Sequence, residues 1–187
     1  MNTHSATVTE QTRIWLETAV IGLNLCPFAK AVHTLGRIRY CVSGAETPEA
    51  LVDDLSAELQ ALQAADPQTC ETTLLIHPRV LTDFLEYNDF LEVAEAVVAG
   101  LGLEGEIQIA SFHPHYRFAG SGPHDIENLT NRSPYPTLHL LREASIERAL
   151  ATGPDPAAIY ESNIATLRHL GHEGWRRLWV ADPGETK

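Results

Sequence analysis

Only three cysteines, Cys26, Cys41 and Cys70, occur in 187 residues. They are odd in number, widely spaced and without a C-x-x-C pair, which argues against a disulfide framework and fits reduced thiols in a reducing compartment. Long apolar runs are also missing. The most apolar stretch, Ala19 to Val32, is interrupted by Asn24, Pro27 and Lys30 and falls short of the roughly 20 residues that cross a bilayer, so no membrane partner is expected. Met1 to Thr9 shows neither the basic start nor the apolar stretch of a signal peptide, and the expected location is cytoplasmic. Positive charge is scarce: 13 Lys and Arg stand against 25 Asp and Glu, for a net charge of −12. From Glu46 to Glu106 there are 14 acidic residues and one basic residue, Arg79. That leaves no basic stripe for phosphates, and nucleic acid is excluded as a partner. Walker A, G-x-G-x-x-G, G-x-S-x-G and H-E-x-x-H patterns are all absent, so nucleotide and hydrolase readings have no motif behind them.

What is present suffices for a core. With 44% hydrophobic residues and no low-complexity tract, the chain reads as a single domain over 1–187, with tails at 1–8 and 181–187. Ile14, Trp15, Ile21 and Leu25 recur at helical spacing after Thr9, a candidate N-cap. Arg37 to Val42 alternates as a strand. Thr47-Pro48-Glu49 opens a helix that Asp66-Pro67 stops, and Thr72 to His77 is an apolar, β-branched run of the kind buried on both faces. A helix over Asp83 to Leu101 precedes a strand over Glu106 to Phe112. Thr137 to Arg142 fits a fourth strand, although a helix after Pro136 is the alternative, and Asp155-Pro156 opens the last helix. The expected fold is α/β (α+β): a two-layer domain with a small mixed sheet of about four strands and helices packed on it, ferredoxin-like or related.

The stretch between Phe112 and Thr137 is too long for a simple connection, and long loops in compact domains usually carry function. It also begins at the carboxyl end of a strand, where ligands bind in open α/β sheets. His113, His115, His124 and Asp125, with Cys26, have the chemistry of a divalent-metal site, but their spacing matches no tight ligand motif, and structural roles are the simpler alternative. Cys26 precedes Pro27. If Pro27 opens a helix, Cys26 becomes its N-cap, and the dipole favours a thiolate nucleophile with His113 as base. The bland alternative is a packed cysteine beside a proline kink. Asn131, Arg132 and Ser133, with Arg117, form a compact donor set for a carboxylate or phosphate on a small anionic molecule. Their structural alternative is an ion pair from Arg132 to Asp125, Glu127 or Glu143, with Asn131 and Ser133 capping a turn.

Three strings carry a resemblance: Leu23-Asn24-Leu25-Cys26-Pro27-Phe28-Ala29-Lys30, Phe112-His113-Pro114, and Asn128-Leu129-Thr130-Asn131-Arg132-Ser133-Pro134-Tyr135-Pro136 followed by Leu140-Leu141-Arg142-Glu143. On these the chain resembles the bacterial domain-of-unknown-function family 1415 over nearly its whole length. The resemblance implies a single cytoplasmic domain and transfers no catalytic residue or cofactor. Three readings therefore stay open. The first is a small enzyme using Cys26 and His113 on an anionic substrate held by Arg132; the second is a metal-binding protein or metal-dependent enzyme; the third is a non-catalytic binding module.

Overall fold

The computed structural model describes residues 3–152 and 155–178. The expected tail at 181–187 lies outside the described residues. Four strands form one sheet in the order β1 (Ile38–Val42), β2 (Thr72–Ile76), β4 (Thr137–Arg142), β3 (Ile107–Phe112). β1 and β2 run parallel, with Ile38 opposite Thr72 and Val42 opposite Ile76. β4 lies antiparallel to both β2 and β3, pairing Leu75 with Leu138 and Ile109 with Leu140. The segment from Thr137 is therefore a central strand and not a helix. Its alternation explains the choice: Leu138 and Leu140 enter one core cluster while His139 turns to the other face, and each flank finds a ladder partner. β2 is buried at all five positions, as its unbroken apolar run requires between two neighbours.

The mixed four-stranded sheet with helices packed on it is as expected, but helices cover both of its faces, so the domain has three layers and not the two expected. On one face α3 (Pro48–Ala64) and α4 (Phe84–Gly100) bring Leu55, Leu59, Tyr87 and Phe90 against Leu75, Leu138 and Leu140. Thr47 caps α3 by accepting from the Ala50 N–H, and Asp83 caps α4 by accepting from the Leu85 and Glu86 N–H groups. Glu86, Asp89, Glu92 and Glu95 of α4 are exposed, so much of the acidic middle faces water. Glu58 is the exception: it is buried and meets Arg39 in a two-pronged pair at 2.7 and 2.9 Å.

The opposite face carries α1 (Thr3–Trp15), which places a fully buried Val8 on Leu74 and Ile76. This corrects the expected N-cap. Thr9 sits inside the helix, because the packing of Val8 extends it into the segment expected to be a tail. The helix continues as a π-helical stretch, Leu16–Ile21, and ends at Gly22, where a Cβ would lie 2.3 Å from the Thr18 carbonyl oxygen. α2 (Ala29–Thr34), α5 (Glu143–Thr152) and α6 (Pro156–Leu178) complete the described chain. α6 breaks at Gly171 (φ 67°, ψ 171°), a conformation open essentially to glycine, and beyond the break Trp175 is buried with Trp15, Leu25 and Leu129. Among the described residues no helix is long and apolar enough to cross a membrane.

Candidate functional site

β1, β2 and β3 all end at the same edge of the sheet, and the Phe112 to Thr137 loop is anchored there. The buried hydroxyl of Tyr87 accepts from the Phe112 N–H at 3.1 Å and donates to the Thr137 carbonyl at 2.9 Å, joining the two ends of the loop. The His77 N–H donates to the Pro136 carbonyl, and the His113 N–H to the Asn131 carbonyl. Both histidine rings lie against Tyr87, at centroid distances of 5.7 Å for His77 and 5.0 Å for His113.

Their hydrogen bonds fix their chemistry. His113 Nδ1 accepts from the His115 N–H at 3.0 Å, so the proton sits on Nε2, which donates to the Leu81 carbonyl at 3.2 Å. Neither nitrogen is left with a lone pair for a metal or for a proton from a nucleophile. Burial, followed by the neighbouring His115 and His77, lowers its pKa to about 4. His77 donates from Nδ1 to the Val80 carbonyl at 3.0 Å; its Nε2 is buried without a partner among the described residues, and burial lowers its pKa to about 4. Two consecutive carbonyls are thus clamped by two neutral rings. Leu81 has φ 55°, strained for a leucine, and its fixed carbonyl and buried side chain offset that strain.

Cys26 is not brought to His113. It packs with Trp15, Leu16 and Leu25 on the α1 face, whereas His113 packs on Phe84 and Tyr87 of α4. Nor is Cys26 an N-cap. Its carbonyl accepts from the Ala29 N–H, Pro27 and Phe28 form a turn, and the six-residue α2 starts at Ala29 after Phe28 with no side-chain cap. The expected metal set is also dispersed. Besides the closed His113, His115 is exposed, the His124 carbonyl accepts from His172 Nε2, and Asp125 accepts from the Gly122 N–H at 2.7 Å. Among the described residues no three His, Cys, Asp or Glu side chains stand together as a metal-holding group.

The donor set divides. Asn131 donates to the Ser111 carbonyl of β3, tying the loop to the sheet instead of capping a turn, whereas Ser133 donates to the Tyr135 carbonyl two residues on, as its turn-capping alternative requires. Arg132 is half-buried and holds the loop from inside, donating from Nε to the Tyr116 carbonyl at 3.4 Å and from Nη2 to the Pro123 carbonyl at 2.8 Å. No carboxylate among the described residues pairs with it; Asp125, Glu127 and Glu143 do not. Desolvation accordingly lowers its pKa. Arg117 is exposed without a partner among the described residues. A cavity of about 450 Å³ lies away from Arg132, between Gly44 to Thr47, Ala50 and Asp54. His77, Tyr87 and Asn128 escaped sequence reasoning. The signal for His77 was the dipeptide His-Pro closing two strands, at His77-Pro78 and again at His113-Pro114.

The family model described as protein of unknown function (DUF1415) matches residues 7–177. No curated protein and no solved structure matches the chain.

Proposed function

Since the chain belongs to the DUF1415 family, whose description assigns no function, we propose from the geometry alone that it is a binding module whose Phe112 to Thr137 loop receives a small anionic molecule. One observation carries this reading: Arg132 is a half-buried guanidinium with no carboxylate among the described residues. Withdrawing a cation from water without a counter-charge is unfavourable, and a carboxylate, sulfate or phosphate restores the balance. The Nε side of the fork is occupied by the loop carbonyls, so Nη1 remains to meet an oxyanion, and Arg117 adds an exposed charge on the same loop. The rigid loop lowers the entropy lost on binding.

Metal or thiol chemistry is the weaker reading, because His113 has both nitrogens engaged and Cys26 lies on the other face of the sheet. Free, half-buried cysteines and the lack of basic stripes support action in the cytoplasm as one domain, on neither nucleic acid nor bilayer. Titration calorimetry with sulfate, phosphate and small carboxylates at fixed ionic strength tests the proposal. Saturable binding that weakens about tenfold in Arg132→Lys, whose single ammonium cannot hold the Tyr116 and Pro123 carbonyls and meet an oxyanion at once, supports it. Equal, non-saturating behaviour of wild type and variant would leave Arg132 a loop staple only.

A further inference from the structure

We infer that His113 is a positioning residue for Arg132, acting through the backbone of Tyr116; the inference rests on the anion-binding reading above. The connection is a run of hydrogen bonds. His113 is fixed at one end by its Nε2–H on the Leu81 carbonyl. Its Nδ1 draws in the His115 N–H, and its carbonyl accepts from the Tyr116 N–H at 3.1 Å, closing a tight turn over residues 113–116. The turn presents the Tyr116 carbonyl to Arg132 Nε, while Pro123 takes Nη2. From the other side the Trp15 indole N–H donates to the Arg132 carbonyl at 2.9 Å, fixing the backbone from which the guanidinium extends.

Nδ1 of His113 therefore occupies the place of an Asn or Asp oxygen that accepts from the N–H two residues on. This separates two roles of one side chain. His113→Asn keeps an acceptor for the His115 N–H and loses the ring packed on Phe84 and Tyr87; His113→Phe keeps a ring and loses the acceptor. A purely packing role ranks Phe above Asn in every measurement, whereas a positioning role reverses the order for the guanidinium alone.

The experiment measures sulfate affinity by calorimetry and, in sulfate-free protein, exchange of the Arg132 Nε–H by nuclear magnetic resonance. The expected result is that His113→Asn binds sulfate within about twofold of wild type, although it is the less stable variant, while His113→Phe binds about tenfold more weakly. Arg132 Nε–H exchange should be faster in His113→Phe and close to wild type in His113→Asn. Wild-type exchange in His113→Phe, or sulfate binding there as tight as in wild type, would overturn the positioning role. A wild-type protein that binds no sulfate would instead overturn the anion-binding reading, and the exchange measurement would still decide whether His113 orients Arg132.

Discussion

The His115 N–H donates to Nδ1 of His113 across 3.0 Å, and this local bond leaves a buried imidazole only its Nε2–H to donate, to Leu81. A ring so held carries no charge and no free lone pair. Protonating it would place two donors face to face.

Acid should therefore destabilise the fold. His77, His113 and His139 are each lowered to about 4 by burial, against about 6.5 in the unfolded chain. Between those values the unfolded chain binds protons that the folded chain refuses, so their contribution is fully present above about pH 6.5 and is lost progressively as pH falls toward 4. His77→Phe keeps a ring on Tyr87 and removes one of the three titrations. The melting temperature of the variant should fall less steeply between pH 7 and 4 than that of wild type; parallel curves would mean that His77 is not buried in its neutral form.

Tyr87→Phe should loosen the base of the loop. The substitution preserves the packing but strands the Phe112 N–H and the Thr137 carbonyl, both of which the hydroxyl satisfies. Leaving buried groups unpaired costs roughly 2 to 4 kcal/mol in total. Urea denaturation measures the loss, and hydrogen exchange at the Phe112 amide should accelerate with it. A loss below about 0.5 kcal/mol would show that water replaces the hydroxyl.

Cys41 should react last of the three thiols. Burial first, and the Glu58 carboxylate second, push its pKa up to about 12. Glu58→Gln removes the nearby negative charge, so Cys41 alkylation at pH 8.5 should become faster while remaining slow in absolute terms, because burial persists. Mass-spectrometric mapping of iodoacetamide labelling reads this directly, and a Cys41 that labels first in wild type contradicts it.

The legible parts of the sequence were those governed by local chemistry. Thr47-Pro48 opened the helix it was expected to open, the helix expected from Asp83 begins one residue later with Asp83 as its cap, and the apolar run from Thr72 became a fully buried strand. The start of α1 was hidden because Val8 is helical through a contact with Leu74 and Ile76, more than 60 positions away. The same limit separated Cys26 from His113. Residue type suggested a nucleophile and a base, but the turn before α2 packs Cys26 against the cluster around Trp15, whereas His113, just beyond β3, packs on Phe84 and Tyr87 of α4. Arg132 was legible as a fork of donors; that two of its N–H groups serve carbonyls of its own loop depended on the path of residues 116–123, which no local pattern fixes.

Asn128 should prove the internal support of that path. It is fully buried, its Oδ1 accepts from the Phe118 N–H at 3.0 Å and from Ser121 Oγ at 2.7 Å, and its Nδ2 donates to the Gly122 carbonyl at 2.7 Å. Asp125 makes a comparable bond to the Gly122 N–H, but in the solvent. Water can replace the lost partner at an exposed site and not readily at a buried one, so Asn128→Ala should cost roughly 2 to 4 kcal/mol and Asp125→Ala under about 1 kcal/mol. Arg117, exposed one residue before Phe118, supplies a tryptic site on the same stretch. Trypsin should cut after Arg117 many times faster in Asn128→Ala than in wild type, with Asp125→Ala close to wild type. The reverse order would mean that the loop is held from its surface, and that Arg132 alone fixes its interior.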